Sequence, residues 1–257
     1  MVAEMNSFQA NKTWELSALP VGRRAIGLKW VFKVKKDPDG NIIKHKARLV
    51  AKGYAQHEGV DFDVVFAPVA RMETVRLLLA LAAQKGWQVH HMDVKSAFLN
   101  GDLSEEVYVQ QPPGFVVENG SGKVLKLKKA LYGLRQAPRA WNARLDKELL
   151  KLGFVKNPQE HAVYRRSDKT SLLLVGVYVD DLIITGSSRA IIDAFKKEMM
   201  GSFNMSDLGL LSYYLGIQVE QKDGMTTLCQ SSYTLKILEQ AGTVSYTHLT
   251  LPTILRV

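Results

Sequence analysis

A single cysteine, Cys229, is all that 257 residues contain. One thiol excludes a disulfide framework and a zinc site built from cysteines alone, and a reducing compartment is the expectation. No continuous apolar run approaches the roughly 20 residues needed to cross a bilayer. The opening stretch, MVAEMNSFQANKTWELSALP, has neither the basic start nor the apolar block of a secretory signal. Repeats, low-complexity tracts and long Pro/Gly linkers are missing too. What is there is a globular mixture, 46% hydrophobic and 23% charged, too apolar for a disordered tail. At roughly 150 residues per domain the length allows one large domain or two small ones.

The net charge is +9, and its distribution says more than its total. Residues 1–57 hold 11 Lys/Arg against 4 Asp/Glu, and residues 123–166 hold 12 against 3. Residues 58–122 are acidic, 4 against 9, and residues 167–257 mildly so, 7 against 9. Basic blocks suit a polyanion such as nucleic acid or nucleotide phosphates. Acidic blocks of this size are ordinary solvated surface unless a few carboxylates converge on a cation.

The pattern of elements is mixed. Leu28 to Val34 and Asn41 to Ala51 read as the arms of a β-hairpin with Asp37-Pro38-Asp39-Gly40 as its turn. The tip and return arm carry Lys35, Lys36, Lys44, Lys46, Arg48 and Lys52. Taken alone these suit either a polyanion or a soluble edge protected from aggregation. Glu73 to Lys85 is a Leu/Ala-rich helix stopped by Gly86. Trp87 to Val94 is a strand that delivers Asp93, and Lys123 to Leu131 is a basic strand or turn. Pro138 to Leu152 is an amphipathic helix stopped by Gly153. Leu172 to Val179 is a buried strand, Asp180-Asp181 its turn, and Leu182 to Thr185 the return. Ser188 caps a helix containing Ile191, Ile192, Phe195 and Met199, and Ser232 caps the last one, Tyr233 to Ala241. This order does not alternate as βαβα, so the expected fold class is α+β, with helices on one face of an antiparallel sheet.

An apolar strand ending in two aspartates is the feature that asks for an explanation. Neighbouring carboxylates beside a buried strand repel one another and cost several kcal/mol unless something compensates. A divalent cation is the usual compensation; a solvated hairpin turn is the plain alternative. Asp93 also follows an apolar strand, where a helix N-cap is its plain reading. Three aspartates from two central strands would make an oxygen-only site suited to Mg²⁺ or Mn²⁺. Two such ions about 4 Å apart can activate a hydroxyl and stabilise a leaving pyrophosphate. His90 and His91, on the strand before Asp93, are read as structural or surface residues.

The ordered blocks KWVFKVK (29–35), KARLVAKGYAQ (46–56), FAPVAR (66–71), DVKSAFLNGDLSEEVYVQQPPGF (93–115), KALYGLRQAPRAW (129–141), VYVDDLIITG (177–186) and YLGIQV (214–219) carry a resemblance along nearly the whole chain. It resembles the reverse transcriptase domain of copia-type LTR retrotransposon Pol polyproteins. The resemblance implies a right-hand polymerase: an antiparallel palm, β-rich fingers and a truncated thumb. It implies that Asp93, Asp180 and Asp181 are catalytic and hold two Mg²⁺ ions, or Mn²⁺, with the main-chain carbonyl of Val94. Lys46 and Arg48 would fold over the triphosphate of a dNTP. Phe98 would stand under its sugar as a steric gate, unless it is simply a core aromatic. Gly133, Gln136 and Pro138 would line the template and nucleotide pocket. Tyr178 would lie near the primer end, and Tyr214-Leu215-Gly216 resembles a primer grip. The implied activity is RNA-directed DNA polymerisation, with template, primer, dNTPs and the other Pol domains as partners and no membrane. The implied setting is intracellular, in a cytoplasmic virus-like particle or the nucleus.

Two departures accompany the resemblance. Family-like sequence is expected over residues 1–242, as fingers, palm and the start of a thumb, and TVSYTHLTLPTILRV (243–257) reads as foreign. The chain therefore reads as a Pol fragment without protease, integrase or RNase H portions. The rival readings are an inactive nucleic-acid-binding remnant of the same element and a template-independent two-metal enzyme such as a nucleotide cyclase.

Overall fold

The structure is a computed structural model that describes residues 1–36, 41–117, 122–222 and 224–242. The chain divides into two compact units, Met1–Pro68 with Ser96–Glu148, and Val69–Lys95 with the chain from Leu149 onward. Among the described residues there are five α-helices, and every pairing between named strands is antiparallel. The mixed α and β character expected from the sequence is therefore present. The turn expected at Asp37-Pro38-Asp39-Gly40 and the tail 243–257 lie outside the described residues.

In the first unit the helix Val2–Ala10 buries Phe8, whose ring lies 4.7 Å from that of Trp14. A three-stranded sheet has Val124–Leu127 at its centre, between Trp14–Ser17 and Tyr108–Val109. The expected hairpin is there: Leu28–Lys36 pairs with Ile42–Ala51, Leu28 opposite Ala51 and Lys33 opposite Lys46. Because side chains alternate across a strand and paired residues share a face, Lys29, Lys33, Lys35, Lys44, Lys46 and Arg48 all fall on one side. Leu28, Trp30, Phe32, Val34, Leu49 and Ala51 fall on the other. Leu28, Leu49 and Ala51, at the base, are buried in the unit's core, whereas Phe32 is 67% exposed. Gly133 sits against this base with φ +91°; a Cβ there would lie 2.2 Å from the Ala51 carbonyl oxygen. Only glycine fits that backbone and that gap.

The second unit is built on a six-stranded sheet in the order Met205–Leu210, Val89–Val94, Asp181–Gly186, Leu172–Tyr178, Val163–Ser167, Val155–Lys156. The expectation of helices on one face fails here. Leu78 of the helix Met72–Lys85 packs beside Gly176 and Ile183, on the face that also carries Asp93 and His91. Lys196 of the helix Arg189–Ser202 bonds His90, whose side chain leaves the opposite face. The reason is in the run Leu172–Tyr178, apolar at nearly every position. A sheet bare on one side would leave half of it in water, and burial on both faces requires a layer on each.

Helix ends follow local chemistry. Met72–Lys85 stops at Gly86, which takes the left-handed conformation with φ +65°. Ala137–Lys151 buries Trp141, Leu145 and Leu149. Ser188 caps Arg189–Ser202 by accepting a bond from the Ala190 N–H. The cap expected at Ser232 is not formed: the last helix is Ser231–Gln240, capped by Gln230 without a side-chain bond, so Ser232 sits inside its first turn. No residue of that helix is buried, and at its start the Ser231 N–H donates to Gln218 Oε1.

Candidate active site

The two-strand hairpin of the second unit sets the site. Asp181 pairs with Tyr178, so the turn is Val179-Asp180, one residue earlier than the expected Asp180-Asp181, and Asp181 already belongs to the return strand. The register sets which face each residue takes. Leu182, Ile183 and Ile184 are all essentially buried, and a one-residue slip would turn each of them, with Asp181, to the opposite face of the sheet. The cost appears at Val179, a β-branched residue held at φ +56°. Positive φ at only the first central residue is the pattern of a II′ turn, a place that favours glycine. Strain of this kind costs on the order of 1–3 kcal/mol and collects at functional sites.

Register also brings the carboxylates together. Asp93 lies directly opposite Asp181 on the neighbouring strand, so both side chains leave the same face at the same end of the sheet. The Val94 N–H donates to the Asp180 carbonyl oxygen at 2.9 Å, which ties the turn to the Asp93 strand. Asp93, Asp180 and Asp181 are all half-buried, while Val94 is buried.

His91 occupies the same face, two residues before Asp93, and its Nε2 lies 2.7 Å from Asp181 Oδ1. The Tyr214 ring meets His91 edge-on, with centroids 5.6 Å apart at 83°, and Tyr178 edge-on at 6.5 Å. Tyr214 is buried and its hydroxyl has no hydrogen-bond partner among the described residues. Burial first, and then the charges of Asp181, Tyr178 and Asp180, push its ionisation far above the usual phenol range.

The donor chemistry suits a hard divalent ion. All three expected side-chain ligands are carboxylates, and two of them face each other across a non-hydrogen-bonded strand pair, where side chains lie closest. They are not drawn into a finished cage. Among the described residues no three His, Cys, Asp or Glu side chains are gathered closely enough to hold a metal, and Asp181 is engaged with His91 instead.

The residues expected to meet a nucleotide form their own group in the first unit. The Arg48 guanidinium lies 5.2 Å over the Tyr132 ring, and Phe98 packs on the same ring at 4.6 Å. Phe98 belongs to the short turn Ala97–Asn100 and is half-buried against the unit's core. Lys46 and Arg48 are half-buried on the cationic face of the hairpin. Gln136 is fully buried: it accepts a bond from Gln56 Nε2 and donates to the Asp61 carbonyl, both at 2.9 Å. Gly133 and Gln136 thus hold the loop 53–61 and the strand end at Ala51 in place.

The family model for reverse transcriptase (RNA-dependent DNA polymerase) matches residues 11–255. The chain belongs to this family. Among curated relatives, it is 41% identical over 243 residues to the retrovirus-related Pol polyprotein from transposon TNT 1-94 of Nicotiana tabacum, covering 93% of this chain and 18% of the relative. To the Pol polyprotein from transposon RE1 of Arabidopsis thaliana it is 36% identical over 253 residues, covering 98% of this chain and 17% of the relative. To the putative transposon Ty5-1 protein of Saccharomyces cerevisiae it is 39% identical over 151 residues, 58% of this chain and 49% of the relative. The copia-type resemblance read from the motif blocks is borne out, and the chain spans less than a fifth of the two plant polyproteins. Among the described residues no helix is long and apolar enough to cross a membrane.

Some candidate functional residues of this family member are not legible in the sequence. Tyr132, which joins Arg48 to Phe98, lies within a recognised block but gives no signal of its own. Lys196 is buried, bonded to both Asp207 oxygens at 2.9 Å and to His90 Nδ1 at 3.0 Å. A lysine on the apolar stripe of its helix, one position after Phe195, was the available clue.

Proposed function

We propose that this chain carries out template-directed DNA synthesis: the primer 3′-oxygen bonds to the α-phosphorus of a dNTP as the bond to pyrophosphate breaks. The second unit would be the palm and the first would supply the fingers. The reading rests above all on one observation, the pairing of Asp93 with Asp181 across adjacent buried strands. Asp93, Asp180 and Asp181, with the Val94 carbonyl, would hold the Mg²⁺ ions; bound there, these would neutralise phosphate charge and activate the attacking hydroxyl. Phosphoryl transfer needs alignment and charge neutralisation rather than a covalent protein group, which fits a site without a nucleophilic triad.

The chain's own residues divide the remaining tasks. Lys46 and Arg48 would pair with the triphosphate through charge-assisted bonds. Phe98, braced by Tyr132, would exclude a ribose 2′-hydroxyl by bulk. Gly133 and Gln136 would shape the nucleotide pocket through the backbone they hold. Tyr178 and the turn Leu215-Gly216 would meet the primer.

The loose arrangement of the three carboxylates favours a second reading, a nucleic-acid-binding remnant that retains the cationic face and does no chemistry. One experiment separates them. A primed RNA template with dNTPs and Mg²⁺, then Mn²⁺, should give extension that follows the template sequence and vanishes without template. Retained salt-sensitive binding with no extension in either metal would select the remnant. Nucleotide turnover without a template would overturn both.

A further inference from the structure

We infer that His91 is a positioning residue for the Asp181 carboxylate, held in place by Tyr214. The inference rests on the metal-site reading above and deepens it. Its warrant is a closed ring of contacts on one face of the sheet. His91 Nε2 meets Asp181 Oδ1 at 2.7 Å. An ionised carboxylate can only accept, so Nε2 carries the hydrogen. Tyr214 braces the imidazole edge-on at 5.6 Å and touches Tyr178 at 6.5 Å. Tyr178 is the strand partner of Asp181, which closes the ring.

The arrangement does for Asp181 what an outer partner does for any oxygen ligand. It uses one lone pair on one oxygen and leaves the second oxygen for another partner. It also removes the rotation by which a half-exposed carboxylate would wander. His91 itself is only 12% exposed in its side chain, against 30% for Asp181, so the donor is more firmly placed than the acceptor it directs. Tyr214 keeps its hydroxyl buried and, among the described residues, unpaired. A phenylalanine would avoid that penalty, so the position is not tuned for stability alone.

The test uses Mn²⁺ as the probe, titrated into the full chain and followed by electron paramagnetic resonance of the free ion. Four variants are compared with wild type: His91→Gln, which keeps a donor; His91→Met, of similar length without one; His91→Phe, an aromatic without one; and Asp181→Asn. The donor-free variants should bind Mn²⁺ about tenfold or more weakly, the usual range when an outer partner is lost. His91→Gln should stay within about threefold of wild type. Primer extension should follow in kcat, with KM for dNTP changed less than about twofold. If His91→Met unfolds, His91→Phe carries the test, and circular dichroism tells which.

Wild-type Mn²⁺ affinity in a folded donor-free variant would overturn the inference. So would a His91→Gln as weak as His91→Met, since that would make the role one of shape. Asp181→Asn reports on the underlying reading: if it alone loses Mn²⁺, the metal site stands and only the role of His91 falls. If it binds as well as wild type, the metal site falls and the inference with it.

Discussion

Two antiparallel hairpins carry two of the three aspartates and both of the cations expected to meet a triphosphate. The hairpin Leu172–Tyr178 with Asp181–Gly186 lies inside a six-stranded sheet and is buried on both faces. The hairpin Leu28–Lys36 with Ile42–Ala51 is a two-stranded sheet of its own, buried only at its base. The first fixes its register so firmly that it tolerates a strained Val179, and the carboxylates at its end inherit that precision. The second gathers six cations on one side with little packing beyond its base. Charge on an exposed arm can follow a mobile, highly charged ligand. Carboxylates that must share an ion need fixed separations, and only a packed sheet supplies them.

That contrast can be broken or sharpened by substitution. Leu182→Ala, in the buried hairpin, should destabilise the chain by about 3–5 kcal/mol, because Leu182 has no exposed surface. Chemical denaturation reads this, and a loss under about 1 kcal/mol would mean the sheet does not anchor the site. Lys46→Ala and Arg48→Ala, made separately, should each raise KM for dNTP about tenfold, the worth of one charge-assisted bond, and leave the melting temperature nearly unchanged. A fall in stability with unchanged KM would reverse the roles assigned to the two hairpins.

A smaller effect concerns pH. Burial first, and then the charges of Lys196 and Arg189, hold His90 below its ordinary value of 6.5. Asp207 is pushed up by burial, but its bonds to Lys196 and to the Gly209 N–H win and leave it below 3.8. For a histidine lowered in the fold, the unfolded chain binds the proton first, so stability falls as pH drops below about 6.5. For the depressed aspartate, stability present above about 3.8 is lost as pH falls through the folded value. Denaturation midpoints should therefore decline on acidification, and Lys196→Met should flatten the lower part of that decline. The smallest effect belongs to Phe32→Ala on the exposed arm, expected within about 0.5 kcal/mol of wild type by the same measurement.

Much of this was legible in the sequence. Both hairpins, the helix stops at Gly86 and Gly153, and the Ser188 cap follow from local chemistry, and local chemistry is what sequence reports. The run Leu172–Tyr178 also announced burial on two faces, yet the α+β pattern alone suggested helices on one. Asp-rich pairs favour turns, which places the turn at Asp180-Asp181 from sequence alone, whereas pairing of Asp181 with Tyr178 and Asp93 puts it at Val179-Asp180. Ser232 is a plausible cap on a helix none of whose residues is fully buried. His91, Tyr214 and the buried Lys196 were not legible as a site, because each draws its meaning from a partner on another strand or helix.

The central claim is that Asp93 and Asp181, paired across two strands, serve a single reaction. Asp93→Asn and Asp181→Asn, assayed separately for extension of a primer on an RNA template, test it most directly. Each should lower incorporation by more than about a thousandfold, since charge stabilisation worth several kcal/mol is lost, with thermal unfolding unchanged. Undiminished incorporation by either folded variant would contradict the account.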